Sequence, residues 1–414
     1  MLSLSSYRDG VRFGLALSAM LLAGCLAQDA KAFDLTDDLS IIGYGDVRAV
    51  IAPDAQSWLN GGLGKFRYGG KQKFGTEGVA QADLKLADGL NAVGLFRAEP
   101  ETRSVVDALE MYLRYAPASN GSVSWSVKAG AFFPTISLEN DDVGWTSPYT
   151  ITPSAINSWI GEELRIIGSE GTLRWNTHSI GTFSMIGALY CCNDENGVLV
   201  ADRGWAMDDN PTGLFERVRE PDATRRLFHA PPGNTGEFNE IDGRVGWYAG
   251  AEWQIPEIAK LTITRYDNRA DPAAVSTRDQ AWATKFWAFG ARTQVGPVML
   301  IAQQLSGYTE LDFGFGEDSI KFQSGFLLAS YDLDDLRFSL REDLFQTRRV
   351  GAANNNFNED GDATTGAISW TGLDGIRLTT EIIRMHSRRG QYVPAGLGPS
   401  RDDTQVQFDA RFFF

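Results

Sequence analysis

Beyond its N-terminal segment, the 414-residue chain has no apolar stretch approaching the roughly 20 residues that a membrane-crossing helix needs. It also has no amphipathic run of 3.6-residue period long enough to suggest a helical domain. Histidine and cysteine are scarce, at three each. No zinc-ligand spacing, G-x-S-x-G turn or phosphate-binding loop occurs. His386 and Ser387 are adjacent, but neighbours on a strand point to opposite faces and do not make a dyad. The expectation is a protein that is not an enzyme and uses neither cofactor nor metal. Basic residues are outnumbered, 38 Lys and Arg against 53 Asp and Glu, for a net charge of −15. Nothing resembles a basic binding face, so nucleic acid is not an expected partner.

What the chain has instead is alternation. The last residues, 405–414, place Val406, Phe408, Ala410, Phe412 and Phe414 on one side of a strand and Gln405, Gln407, Asp409 and Arg411 on the other. The same period of two recurs in 109–115, 123–133, 241–255 and 336–344. The mean hydropathy is −0.21, because half of every such strand is polar. The spacing predicts strands over 39–50, 76–87, 90–99, 106–117, 122–133, 163–175, 180–191, 240–254, 258–268, 279–294, 297–308, 319–333, 335–347, 361–372, 375–387 and 404–414. Tight links such as 87–89, 295–297 and 373–375 alternate with long ones over 51–75, 134–162, 192–239, 269–278, 309–318, 348–360 and 388–403. Short turns at one end and long loops at the other predict an all-β, transmembrane, antiparallel up-and-down β-barrel of about 16 strands occupying 33–414.

This strand-loop rhythm over the whole mature length, together with the terminal Phe414, resembles the Gram-negative outer-membrane porins. The resemblance implies a water-filled channel for passive diffusion of small hydrophilic solutes or ions. It also implies insertion-machinery recognition of Phe414, contact with lipid and lipopolysaccharide, and homotrimer assembly. Two other readings stand beside it: a closed structural or adhesive barrel, with loop 192–239 as a partner surface, and a channel for hydrophobic substrates.

At the N-terminus, Arg8 and Arg12 flank the start of an apolar run over 11–26, too short for a spanning helix, which predicts an export signal. Ala30-Lys31-Ala32 is a cleavage site that makes 1–32 the signal peptide. Leu22-Ala23-Gly24-Cys25 is a competing lipobox that would make Cys25 a lipid anchor. Cleavage after Ala32 is favoured because a barrel needs no second anchor. Cys191-Cys192 is a vicinal pair in an oxidising compartment, either a disulfide or two thiols.

The long link 134–162, which follows the fifth strand, is the candidate constriction loop. Porins fold the loop in this position into the channel. Leu138, Val143, Trp145, Tyr149, Ile151, Ile156, Trp159 and Ile160 make it too apolar for a solvated flap, and Ser154 is placed to cap a short helix. Folded inward, it would bring Glu139, Asp141 and Asp142 to face basic residues of the wall. The polar strand faces nominate Lys85, Arg114, Lys128, Arg244, Arg337, Arg341 and Arg377 as pore-wall residues. Arg337 and Arg341, four apart on one face, form a candidate basic ladder for anions. The alternative is a loop packed outside the pore.

Overall fold

A chain whose strands are apolar on one face and polar on the other closes on itself when its solvent is lipid outside and water inside, because closure leaves no backbone edge unpaired. The computed structural model describes residues 33–414 except 71, 72, 101, 103, 178, 223, 225–232, 277, 278, 313–316 and 352–357. The signal-peptide reading of 1–32, Cys25, His178 and His229 lie outside the described residues.

Sixteen antiparallel strands form one closed barrel. They are β1 Leu39–Ile51, β2 Phe74–Ala87, β3 Leu90–Ala98, β4 Val106–Tyr115, β5 Val123–Phe132, β6 Ile166–Asn176, β7 Thr182–Cys191 and β8 Gly246–Ile255. They continue as β9 Ala259–Asp267, β10 Ala283–Val295, β11 Val298–Asp312, β12 Glu317–Leu333, β13 Leu336–Gly351, β14 Glu359–Leu373, β15 Ile376–Arg389 and β16 Ser400–Phe413. Each pairs with its neighbours in sequence, and β16 pairs with β1 to close the ring. Phe414 extends that seam: Gly43 donates to its carbonyl at 2.9 Å and accepts from its amide at 3.0 Å. Gly43 is required there, since a Cβ would stand 2.6 Å from the Phe414 ring. A four-residue strand, Phe33–Thr36, folds back on β1.

Outward positions carry large exposed apolar side chains, among them Met185, Leu189, Leu340 and Leu344. Inward positions are polar at the short-turn end. One correction concerns β10 to β15. Their inner faces carry Phe286, Ile301, Leu305, Phe322, Leu328, Phe345 and Ile383, all buried. Large apolar residues stand on both faces there, among polar ones on the inner face, so parity alone mis-describes the lumen, and these residues need an apolar partner inside the barrel.

A second correction concerns the start of β8. Alternation predicts a strand from 240, but pairing begins at Gly246. The amides of Ile241 and Asp242 donate to the Asp194 carboxylate, at 2.5 and 3.1 Å, and Gly243 takes a φ of +76°. These bonds hold 241–245 as loop.

Candidate functional site: a lumen filled by loops

The apolar partner comes from the long loops. After β5, the segment 133–165 turns into the barrel. Trp145 stacks on Phe133 with ring centroids 4.2 Å apart. The segment forms helix α1, Ala155–Glu163, with Ser154 as N-cap accepting from the Asn157 amide at 3.3 Å. Every residue of α1 is buried. Ile156, Trp159 and Ile160 pack into the apolar wall of β10 to β15, and Trp159 lies 5.0 Å from the Phe322 ring and 5.7 Å from Phe286.

Polar groups on the same wall pin the loop's backbone. Glu381 of β15 accepts from the amides of Ile151 (2.7 Å) and Thr152 (3.1 Å). Asp343 accepts from Ala155 N at 3.1 Å, and Gln303 donates to the Ile136 carbonyl at 3.1 Å. Buried amides and carbonyls of a loop inside a barrel need such partners, because each unmade bond costs about 1–3 kcal/mol.

The loop 192–239 fills the space above. It carries helix α2, Val198–Asp202, and then Trp205, which meets Trp159 edge-on at 5.7 Å. Arg203 grips Glu162 of α1 with two bonds, 2.7 and 2.6 Å, and its guanidinium lies 4.3 Å from the Trp58 ring centroid. Lys65, from the first outer loop, reaches Glu359 of β14 at 2.5 Å and the carbonyls of Arg203 and Trp205, both at 2.8 Å. Asp209 bridges Arg48 of β1 and Arg67. Three loops and the wall therefore share one network, and side chains occupy the long-loop half of the lumen. Gly204 sits at φ +78° against this network. A Cβ there would collide with Glu359 and Arg389.

Below α1 the lumen opens toward the short-turn end. One polar cavity of about 300 Å³ is lined by Tyr112, Arg114, Lys128, Glu170 and Arg174, among others. Another, of about 360 Å³, is lined by Asp38, Gln81, Asp83, Lys85 and Asn91, among others. Loop 133–165 roofs this vestibule.

The sequence-nominated residues divide between these regions. Asp141 pairs with Arg292, and Asp142 pairs with Arg377 at 2.9 Å, both partly exposed on the underside of the roof. Arg337 holds Asp332 at 2.6 Å and donates to the Pro148 carbonyl at 3.0 Å. Lys128 pairs with Glu170 at 3.1 Å on the vestibule wall. Lys85 is exposed beside Asp88 at 3.3 Å, and Arg114 also lines the vestibule.

Three nominations are corrected. Glu139 is fully buried and accepts from Ser154 N and Asn157 Nδ2, each at 2.7 Å, so it braces the loop instead of facing a pore. Arg341 is also fully buried, bonded to Asp343 (2.7 Å) and to the carbonyls of Thr152 (2.9 Å) and Pro153 (3.1 Å). Its burial breaks the ladder with Arg337. Arg244 precedes β8 and pairs with Asp271 at 2.6 Å in the outer loops. Residues that sequence reasoning missed are Arg203, Lys65, Glu359 and Arg292. Glu359 fell in a predicted loop, and Arg292 was passed over on a strand whose two faces are both apolar further up. Cys191 and Cys192 form a disulfide at the top of β7.

Burial dominates the electrostatics of the plug. It pushes the Glu163 carboxyl up to about 8, although Leu199 N and Trp159 Nε1 donate to it. It also pushes Glu237 up to about 7 against the pull of Arg165. A raised carboxyl pKa means that the packed loops hold protons which released loops give up. Through these two groups packing weakens as pH rises from about 4.5 to about 8. Lys65 is lowered by burial to about 8, so its proton leaves only above this window, where the sign reverses. The expected result is faster proteolysis of loop 192–239 at pH 8 than at pH 5. A flat or inverted profile would contradict it.

No family model and no curated protein matches the chain. Solved structures do. The outer membrane channel DcaP of Acinetobacter baumannii superposes with TM-score 0.53 at 12% identity, over 91% of this chain and 97% of that one. An anion-selective porin from Comamonas acidovorans gives 0.52 at 12%, over 91% and 99%. OmpT of Vibrio cholerae, described in a trimer form, gives 0.52 at 8%, over 91% and 99%. At these identities the likeness speaks for architecture, and the closed sixteen-strand ring agrees with it. The fold is that of the outer-membrane porins.

Proposed function

We propose that the chain is an outer-membrane channel for small hydrophilic solutes or ions, non-enzymatic, exported by a signal peptide that is cleaved after Ala32. The observation that carries this reading is the pair of polar, charged cavities at the short-turn (periplasmic) end, with the partly exposed ion pairs Asp141–Arg292 and Asp142–Arg377 on the inward-folded loop. Opposed charges across a narrow passage order water and sort solutes by charge and dipole. The lumen wall carries both signs in pairs, which supports weak charge selectivity. Homotrimer assembly belongs to the same proposal, supported by the trimer form described for one structural neighbour. Contact with lipopolysaccharide and recognition of Phe414 by the insertion machinery belong to it as well. The non-enzymatic reading is supported by Ser387 and His386 lying on opposite faces. Ser387 bonds to Glu359 and Tyr392 inside, and His386 meets Asp402 at 3.2 Å outside.

A second reading, a closed structural barrel, is favoured by the side chains that fill the long-loop half. Liposome swelling separates the two. The channel reading predicts swelling with small sugars and amino acids at rates that fall with solute size. A heat-modifiable, correctly inserted barrel that admits none of them would leave the closed reading standing.

A further inference from the structure

The outward face of a membrane barrel meets hydrocarbon, and most of this one suits it. On β7 it presents Phe183, Met185 and Leu189, and on β8 Trp247 and Trp253. The outward face of β13 to β15 departs from that rule. Mid-strand on β13, Glu342 stands exposed between Leu340 (58% exposed) and Leu344 (62% exposed). Thr364 Oγ1 on β14 donates to it at 2.6 Å. On β15, Arg384 is exposed in the same cross-strand row, with His386 and Arg388 further along the strand. Asp360 and Asp362 continue the outward face of β14. Among the described residues, the ion pairs of this face are Arg348–Asp360 and His386–Asp402, and Arg384 is in neither. A groove of about 1150 Å³ crosses the same face, with Gly325 in its floor and Gln304, Gln323 and Gln346 along it. A cation facing lipid near the midplane costs about 2–4 kcal/mol.

The register shows why the charges do not satisfy each other. Glu342 is the cross-strand partner of Thr364, and Thr364 is the partner of Arg384. An acid and a base therefore flank Thr364 in one row, two strands apart, at roughly twice the 4.7–4.9 Å strand spacing. We infer that this face is a self-association surface, on which a second copy of the chain packs about a two-fold axis along the membrane normal near Thr364. That operation brings Glu342 of each copy to the Arg384 side of the other, twice, as an isologous contact requires, with the height offset of the tilted row left to the long Arg side chain to span. Lipid is the poorer occupant. Acyl chains leave both charges in hydrocarbon, and a headgroup phosphate that neutralises Arg384 is repelled by Glu342 and Asp362. The inference rests on the barrel spanning a membrane.

The test is cysteine cross-linking of the full chain in outer membranes, with the native Cys191–Cys192 pair left oxidised. Thr364→Cys lies on the axis and is expected to give a disulfide-linked dimer under mild oxidation. Met185→Cys, outward on β7 and seven strands away, is expected to stay monomeric. Glu342→Arg in the Thr364→Cys background should reduce the dimer at least fivefold, and adding Arg384→Glu should restore it. Heat-modifiable mobility shows that each variant is a folded barrel, which separates failure of this contact from failure of the membrane reading. Folded Thr364→Cys without dimer would overturn the inference. So would equal cross-linking at position 185, or a Glu342→Arg loss that Arg384→Glu does not reverse.

Discussion

Replacing Arg203 by alanine should release loop 192–239 from the lumen while leaving the barrel intact. Arg203 is fully buried, holds both carboxylate oxygens of Glu162 and covers Trp58. Its loss strands a buried carboxylate, which costs about 3–5 kcal/mol when one partner of a buried pair is removed. The strand ladder does not depend on this contact, so the penalty falls on loop packing. The expected result is rapid proteolytic nicking between 192 and 239 with unchanged heat-modifiable mobility. Arg203→Lys restores charge but not the two-point grip, and should fall between the two. An alanine variant as resistant as the parent would show that the loop is held elsewhere, with the Lys65–Glu359 contact as the next candidate.

Trp159→Ala should have a comparable effect on the inner loop. Trp159 joins α1 to Trp205, Phe286 and Phe322 through ring contacts of 5.0 to 5.7 Å. Truncating a buried Trp costs about 3–5 kcal/mol, through lost transfer free energy and the cavity left behind. The loss is shared by both loops, since Trp205 belongs to the upper one. The expected result is greater protease access to 134–162 and to 192–239 together, and a drop in near-ultraviolet circular dichroism. Loss at one loop alone would mean that the two pack independently.

The barrel was legible because its physics is periodic. One face sees lipid and the other water, so period-two alternation and the long-short rhythm of links locate all sixteen strands to within a few residues, apart from the start of β8. Ser154 as a cap and the apolar content of 134–162 were equally readable, since both are local. The contents of the lumen were not. Parity places Arg341 and Glu139 on the inside or in the loop, but it does not say that one covers the other. Loop 192–239 reads as a partner surface because of its Arg, Pro and Asp. Yet Arg203 is paired with Glu162 and Asp209 with Arg48 and Arg67, partners that lie 41 to 161 residues away in sequence. Burial of charge through distant pairs leaves no local signature. Phe286 and Phe322 show the same limit. An inward aromatic reads as a parity error until a helix is found packed against it.

Single-channel conductance in planar bilayers tests the central claim that inward-folded loops set the passage through this barrel. The measurement compares the full chain with a variant in which 194–238 is replaced by a short flexible turn. The account predicts small unitary steps from the full chain and severalfold larger steps from the shortened one. Equal steps from both, with each folded as a barrel, would contradict it.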